Sequence, residues 1–166
     1  MKILISDISS YKSIVLSKFL KENYENCELF TFDYRNFTKK VRTKYSDYHI
    51  VVENYQLQNI LNLIEKNEID FFFPVNSDLI DICIFNKDKF GKTINYLGDY
   101  STFTLLNTKD RLMDLAFKLN IQIPKTYQKK EEIEFPCVLK PTISASSIGV
   151  NYFMNEEEFK VKNISI

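Results

Sequence analysis

Lys2-Ile3-Leu4-Ile5-Ser6-Asp7-Ile8 is a short apolar run at the start of the chain, and it reads as a buried strand. Ser9 and Ser10 follow with hydroxyls suited to capping a helix, and Ile14, Val15, Leu16, Phe19 and Leu20 recur at helical spacing. The same alternation continues outward. Cys27 to Phe32 predicts a second strand, Asp33 to Lys44 is polar and irregular, and His49-Ile50-Val51-Val52 predicts a third strand. Leu57, Ile60, Leu61 and Ile64 stand at i, i+3, i+4 and i+7, which is one helix face. Ile69 to Phe73 predicts a fourth strand, closed by Pro74, and Leu79, Ile82 and Cys83 mark the next helix. Thr93 to Leu97 predicts a fifth strand stopped at Gly98. Strands alternating with helices imply an α/β domain with a Rossmann-like parallel sheet. Runs of apolar residues, rather than every second one, imply strands buried on both faces.

The pattern changes after Gly98. Thr108 is suited to an N-cap, and Leu112, Leu115, Ala116 and Leu119 form an apolar stripe. Asn120 fits the left-handed position that ends the helix, with Pro124 just beyond. A charged link, Lys129 to Glu134, leads into the strand Phe135-Pro136-Cys137-Val138-Leu139-Lys140. A loop of small residues, Ser144 to Gly149, then returns into a strand at Val150 to Met154. Asn155 and Glu158 have the spacing of a capping box for a last helix. This is a hairpin, not a βαβ unit, so a boundary is expected near residues 98 to 108. The two domains would be 1–98 and 99–166.

Charge and composition exclude several classes. The 166 residues carry 22 basic and 22 acidic side chains, so no electrostatic footprint for nucleic acid is present. Lys39-Lys40 and Lys129-Lys130 are pairs too short to track a phosphate backbone. No apolar run approaches the roughly 20 residues that span a bilayer. Cys27, Cys83 and Cys137 match no metal or redox spacing. They read as buried free thiols in a reducing compartment, which implies a cytoplasmic protein. His49 is the one histidine and reads as structural. The chain has 3 Gly against 14 Phe and 10 Tyr, a bias that carries no functional meaning.

Three places could carry chemistry. The first strand–helix turn, Asp7-Ile8-Ser9-Ser10-Tyr11, has no glycine where a dinucleotide fold needs its backbone close to a pyrophosphate. That argues against an NAD or FAD enzyme, and leaves Ser9 as either a scaffold residue or a small-ligand contact. Val75-Asn76-Ser77-Asp78 follows the fourth strand, where parallel sheets bind ligands. There Ser77 or Asp78 caps the helix, or Asp78 touches a substrate. The third place is Lys140-Pro141 with Ser144 to Val150. A lysine ending a buried strand needs an anionic partner. Successive N–H groups of a small-residue loop can bind phosphate oxygens, with Gly149 free to adopt backbone angles other residues resist. The order is not that of a Walker loop, and on local features alone the segment reads equally as a plain β-turn.

Taken together, Thr108-Lys109-Asp110-Arg111-Leu112-Met113-Asp114-Leu115-Ala116, Asn120-Ile121-Gln122-Ile123-Pro124, Phe135-Pro136-Cys137-Val138-Leu139-Lys140-Pro141 and Ser146-Ser147-Ile148-Gly149-Val150 resemble the ATP-grasp superfamily. Its carbamoyl-phosphate-synthase-like and D-alanine-ligase-like members come nearest. Arg42 to Asp47 and Ile69 to Asp78 resemble the domain that precedes the nucleotide lobe in these enzymes. The chain departs from the pattern in having Ser-Ala-Ser-Ser where many members have more glycine, and Asn120 where they have Gly.

The resemblance implies a pre-ATP-grasp domain followed by an incomplete ATP-grasp α+β subdomain. It implies ATP as cofactor, with Lys140 on the α-phosphate and adenine edge and Arg111 on the phosphates. Ser144, Ser146 and Ser147 would lie in the loop over the β- and γ-phosphates, and Gly149 would re-enter the sheet. In such enzymes Mg²⁺ ligands come later, and Glu156, Glu157 and Glu158 read instead as acids at a helix N-terminus. The expectation is an N-terminal fragment of a ligase joining a small-molecule carboxylate to an amine through an acyl phosphate, inactive alone. Such enzymes are often dimers, which admits a homodimer. The alternative is a non-catalytic α/β module that binds a small ligand or a partner.

Overall fold

The computed structural model describes residues 1–35, 44–94, 96–127, 129–144 and 147–162, which form two compact units, 1–100 and 101–166. In the first unit the order is β1 (Lys2–Ser6), α1 (Tyr11–Asn23), β2 (Glu28–Asp33), β3 (Tyr48–Val51), α2 (Leu57–Asn67), β4 (Phe71–Phe73) and α3 (Ser77–Phe85). All four strands are parallel, in the order β3-β2-β1-β4, with Leu4 opposite both Phe30 and Phe72. The chain is therefore α/β with a Rossmann-like sheet. It leaves β1 on one side through α1 and returns on the other through α2, so the order reverses between β1 and β4.

Both faces of the sheet are covered. Leu4, Phe30, Phe32 and Phe72 pack with Ile60 of α2 and with Leu79 and Cys83 of α3. Leu57, Leu61 and Ile64 complete the α2 stripe against that core. Ile3, Ile5 and Leu29 face the other way, against Leu16 and Leu20 of α1. Each fully buried Phe contributes about 1.5–3 kcal/mol. Helix α1 lies close on β1 because its buried face is small: the Ser13 hydroxyl donates to the Ser6 carbonyl at 2.7 Å, and Ser17 to the Ser13 carbonyl at 2.7 Å. Ser10 caps α1 through its hydroxyl, which accepts from Lys12 N–H at 3.3 Å.

The expectation of burial on both faces holds for β1 and β2 but not for the flanking strands. Tyr48 and Val51 of β3 and Phe71 of β4 are exposed, because each edge strand has cover on one side only. The fifth strand is absent among the described residues. Thr93 accepts one backbone bond from Phe72 N–H at 3.0 Å, but its own N–H bonds back to Phe90 and that of Leu97 to Ile94. Those turn bonds, after a 3-10 turn at Lys87–Phe90, take the donors that a ladder needs. Cys27 and Cys83 are buried thiols as expected, with Cys83 pushed up to about 12 by burial, whereas Cys137 is only half-buried.

The second unit contains α4 (Tyr100–Asn107), α5 (Lys109–Lys118), β5 (Cys137–Leu139), β6 (Asn151–Phe153) and α6 (Glu156–Val161), with α4 beginning at the division. Asn120 stands at φ 54° just past α5, with its N–H on Phe117 and that of Ile121 on Ala116, the paired bonds of a Schellman ending. Strands β5 and β6 form an antiparallel hairpin in which Val138 opposes Tyr152, both exposed, while Phe153 packs edge-on against Phe159 of α6. Asn155 caps α6 by accepting from Glu158 N–H at 3.0 Å, and the Glu158 carboxylate reaches back past the cap to accept from Met154 N–H at 2.9 Å, a variant of the expected capping box. No helix of the described residues is long and apolar enough to cross a membrane.

Candidate functional site

The carboxyl end of the parallel sheet is polar, and the reversal between β1 and β4 places both first-unit candidates beside it. Ser9 follows β1 and Asp78 lies in the first turn of α3, while the Ser6 hydroxyl accepts from Val75 N–H at 2.9 Å and ties the two strand ends together. Neither Ser77 nor Asp78 caps α3. Asn76 does, accepting from Leu79 N–H at 2.8 Å, and Asp78 is left exposed.

Ser9 belongs to a charged cluster that the sequence reading did not assemble. Asp33, at the end of β2, is fully buried and accepts from Ser9 N–H at 3.2 Å and from Arg35 N–H at 3.0 Å. The Arg35 guanidinium donates to the Ser9 hydroxyl at 2.9 Å and stands 3.4 Å from Asp33 and 3.7 Å from Asp7. Asp7 holds φ 54°, the position a glycine would take in a dinucleotide turn. Burial, then the Asp33 and Asp7 charges, push the Tyr55 hydroxyl above its ordinary range. A pyrophosphate here would meet two carboxylates and a Ser9 N–H already engaged, which weighs against a dinucleotide. The signal available in the sequence was an Asp ending the second strand two residues before an Arg.

The second unit holds the hairpin loop. Lys140 leaves β5 exposed and without a hydrogen-bonding or ion-pair partner among the described residues. The premise of a buried strand ending in a costly lysine is thus corrected: β5 is a half-buried strand, and Lys140 is free to meet an anion from solvent. Gly149 closes the loop at φ 75°, and a Cβ on it would lie 2.6 Å from Pro141 Cγ. Ser147 also takes a left-handed conformation, at φ 61°, and accepts from Val150 N–H at 3.2 Å. Ser146 lies outside the described residues.

Among the described residues, the basic side chain of α5 that bonds to this loop is Lys109. Lys109 opens α5, its N–H bonded to the Thr142 carbonyl at 3.0 Å and its ammonium to the Ser144 carbonyl at 3.2 Å and hydroxyl at 3.0 Å. Arg111 is exposed, with no side-chain partner among the described residues. Thr108 occupies the N-cap without a side-chain bond, which leaves the first turn of α5 facing the loop backbone. Its place directly after a cap residue was the legible signal for Lys109. An ammonium has three donors, so the two bonds to Ser144 leave one for a ligand. Among the described residues no three His, Cys, Asp or Glu side chains are grouped to hold a metal ion.

No protein-family model matches the sequence, and no curated protein matches it in sequence. Solved structures do share its fold. The biotin carboxylase domain of Hydrogenobacter thermophilus 2-oxoglutarate carboxylase, a dimer in complex with MgADP, ADP and bicarbonate, superposes at a TM-score of 0.66 with 15% identity over 97% of this chain. L-amino acid ligase from Bacillus licheniformis gives 0.62 with 10% identity over 97%. Glycinamide-RNase-transformylase T from Mycobacterium tuberculosis gives 0.52 with 13% identity over 72%. The chain spans 39%, 41% and 35% of those proteins. All three are ATP-grasp enzymes, and the resemblance read from the motifs holds at the level of fold.

Proposed function

We propose that this chain supplies the substrate-side domain and one wall of the nucleotide site of an ATP-dependent carboxylate–amine ligase. Lys109 and Lys140 neutralise the phosphates, with Arg111 flanking them. Backbone N–H groups and hydroxyls of the Ser144–Gly149 loop position the β- and γ-phosphates. Neutralisation and positioning are most of what phosphoryl transfer asks of a protein. A substrate carboxylate oxygen attacks the γ-phosphorus and ADP leaves. An amine nitrogen then attacks the acyl carbon of the resulting acyl phosphate, and inorganic phosphate leaves. The remaining wall, with the carboxylates for Mg²⁺, comes from residues other than these 166. The contact between the Lys109 ammonium and Ser144 carries this reading, and the fold shared with ATP-grasp ligases supports it.

The test is calorimetric titration of the chain with ATP and with ADP, for wild type and for Lys109→Ala and Lys140→Ala. Saturable binding weakened by both substitutions supports the proposal. Absence of binding at millimolar nucleotide overturns it for this chain. The second reading, a non-catalytic binding module, is favoured by the lack of a metal-holding group among the described residues. It predicts capture of a partner protein at an affinity that none of Lys109→Ala, Arg111→Ala and Lys140→Ala changes.

A further inference from the structure

A cavity of about 560 Å³ opens in the second unit between the 3-10 turn Lys130–Glu132 and helix α6. It lies at the end of the hairpin where β5 begins and β6 leaves, opposite the Ser144–Gly149 loop, so it is no part of the nucleotide site. Its volume falls inside the roughly 300–1,000 Å³ range of small-molecule sites. The apolar lining is Ile133, Phe135 and Phe159. Phe159 is buried, with its ring edge-on to Phe153 at 5.1 Å and to Phe135 at 6.1 Å between centroids, which roots this lining in the core of the unit. The remaining lining is charged and balanced: Lys130 and Glu131 on the turn, Glu156 and Lys160 on α6, all exposed at the rim. Glu156 and Lys160 pair at 2.6 Å, so opposite charges stand side by side on the α6 wall.

We propose that this cavity binds a free α-amino acid with a large apolar side chain, aromatic or branched aliphatic. The lining selects it by elimination. A lone anion would meet Glu131 and Glu156, and a lone cation would meet Lys130 and Lys160. A neutral apolar molecule would strip water from the rim charges and return nothing for it. A zwitterion meets both signs. Its ammonium and carboxylate, borne on one carbon, lie against the Glu156–Lys160 pair with the signs crossed, carboxylate toward Lys160 and ammonium toward Glu156. Lys130 and Glu131 offer the same two signs from the other wall. The ligand side chain then covers Ile133 and the Phe135 ring, taking apolar surface out of water. So small a ligand under an exposed rim binds weakly, and millimolar affinity is expected.

Amide NMR spectra of the whole nitrogen-labelled chain, titrated with L-phenylalanine and L-leucine, test this. Saturable shifts are expected at the amides of Lys130 to Ile133 and Glu156 to Lys160. Phenethylamine lacks the carboxylate, phenylpropionate the ammonium, and N-acetylphenylalaninamide both charges. Each should bind at least about fivefold more weakly than phenylalanine, having lost a charge-assisted contact. Glycine, without the side chain, should leave the spectra unshifted. Lys160→Gln should weaken phenylalanine at least about threefold without weakening phenethylamine, and Glu156→Gln should do so without weakening phenylpropionate. The same spectra verify that each variant folds. Shifts that fail to saturate or that fall elsewhere overturn the proposal, as does indifference to both substitutions. An analogue lacking one charge that binds as tightly as phenylalanine overturns it too. Equal binding of N-acetylphenylalaninamide also overturns it, and would make a side chain of a partner peptide the occupant.

Discussion

Lys109 and Ser144 are joined twice: one ammonium donates to the carbonyl and to the hydroxyl of the same residue, at 3.2 and 3.0 Å. The contact ties the first turn of α5 to the hairpin loop. It holds a cation beside Ser144, the residue that opens the loop of small residues.

Removing that cation should weaken nucleotide binding more than removing its neighbour. Hydrogen bonds to charged groups contribute about 1.5–3 kcal/mol, so Lys109→Ala is expected to raise the Kd for ATP by roughly ten- to hundredfold. Arg111→Ala, which removes an exposed side chain, should change it by less than about threefold. Calorimetry on both variants compares them, and the reverse ranking would return the phosphate contact to Arg111.

Gly149 is confined by conformation and by space. Alanine there must hold φ 75° and place its Cβ 2.6 Å from Pro141 Cγ. The left-handed backbone alone costs about 1–2 kcal/mol. Thermal unfolding of Gly149→Ala should therefore show a drop of at least that size. In a Pro141→Ala background the drop should shrink, because part of the clash is gone. Strict additivity of the two substitutions would mean that the ring and the glycine do not meet in solution.

Asp33→Ala should be costly because Asp33 is fully buried and serves two backbone N–H groups. Leaving both unpaired is expected to destabilise the first unit by about 2–4 kcal/mol in urea unfolding. Arg35→Ala, which removes a half-exposed guanidinium and leaves Asp33 its two donors, should cost less than about 1 kcal/mol. Equal losses would show that the ion pair, rather than the carboxylate's caps, secures the turn.

His49 makes stability depend on mild acid. Burial holds its imidazole below the usual range, against the opposing pull of the Asp33 carboxylate. Its Nδ1 lies 3.1 Å from the Thr31 hydroxyl, and its Nε2 is buried without a partner among the described residues. The unfolded chain therefore takes up a proton first, near pH 6.5, and the folded chain only at lower pH. Stability is full above about pH 6.5 and declines as pH falls below it. The slope between about pH 6.5 and 5 should flatten in His49→Gln, measured by urea unfolding across that interval.

The sheet was legible because β1 carries the apolar run Ile3-Leu4-Ile5 and β2 is rich in Leu and Phe, and α2 because its stripe keeps strict helical spacing. Thr93 to Leu97 has the composition of a strand, but its N–H groups are engaged by turns, which residue type does not reveal. Helix α4 went unread because Tyr-Ser-Thr-Phe-Thr-Leu-Leu-Asn mixes aromatic and β-branched residues with no clear apolar face. At the candidate site, the loop and its glycine could be found from residue type and spacing. Choosing between Lys109 and Arg111 could not, since the two lie on different sides of one helix and only the packing of α5 on the loop decides which points inward. The Asp7–Asp33–Arg35 cluster joins two strand ends distant in sequence, and only the parallel register brings them together.

The hairpin of β5 and β6 shows Val138 and Tyr152 to solvent, and two strands alone are marginal in water. Its amides should accordingly trade hydrogen for deuterium well before those of β1 and β2, which form the centre of the first core. A nucleotide gripped between α5 and the loop would then act as a missing piece of scaffold. At a hundred times its Kd it would add about 2.7 kcal/mol to the folded state, slowing isotope exchange in the hairpin far more than in the sheet. With the proposed nucleotide bound, occupancy and local order would become one quantity, and the exchange rates of six strand residues would report both.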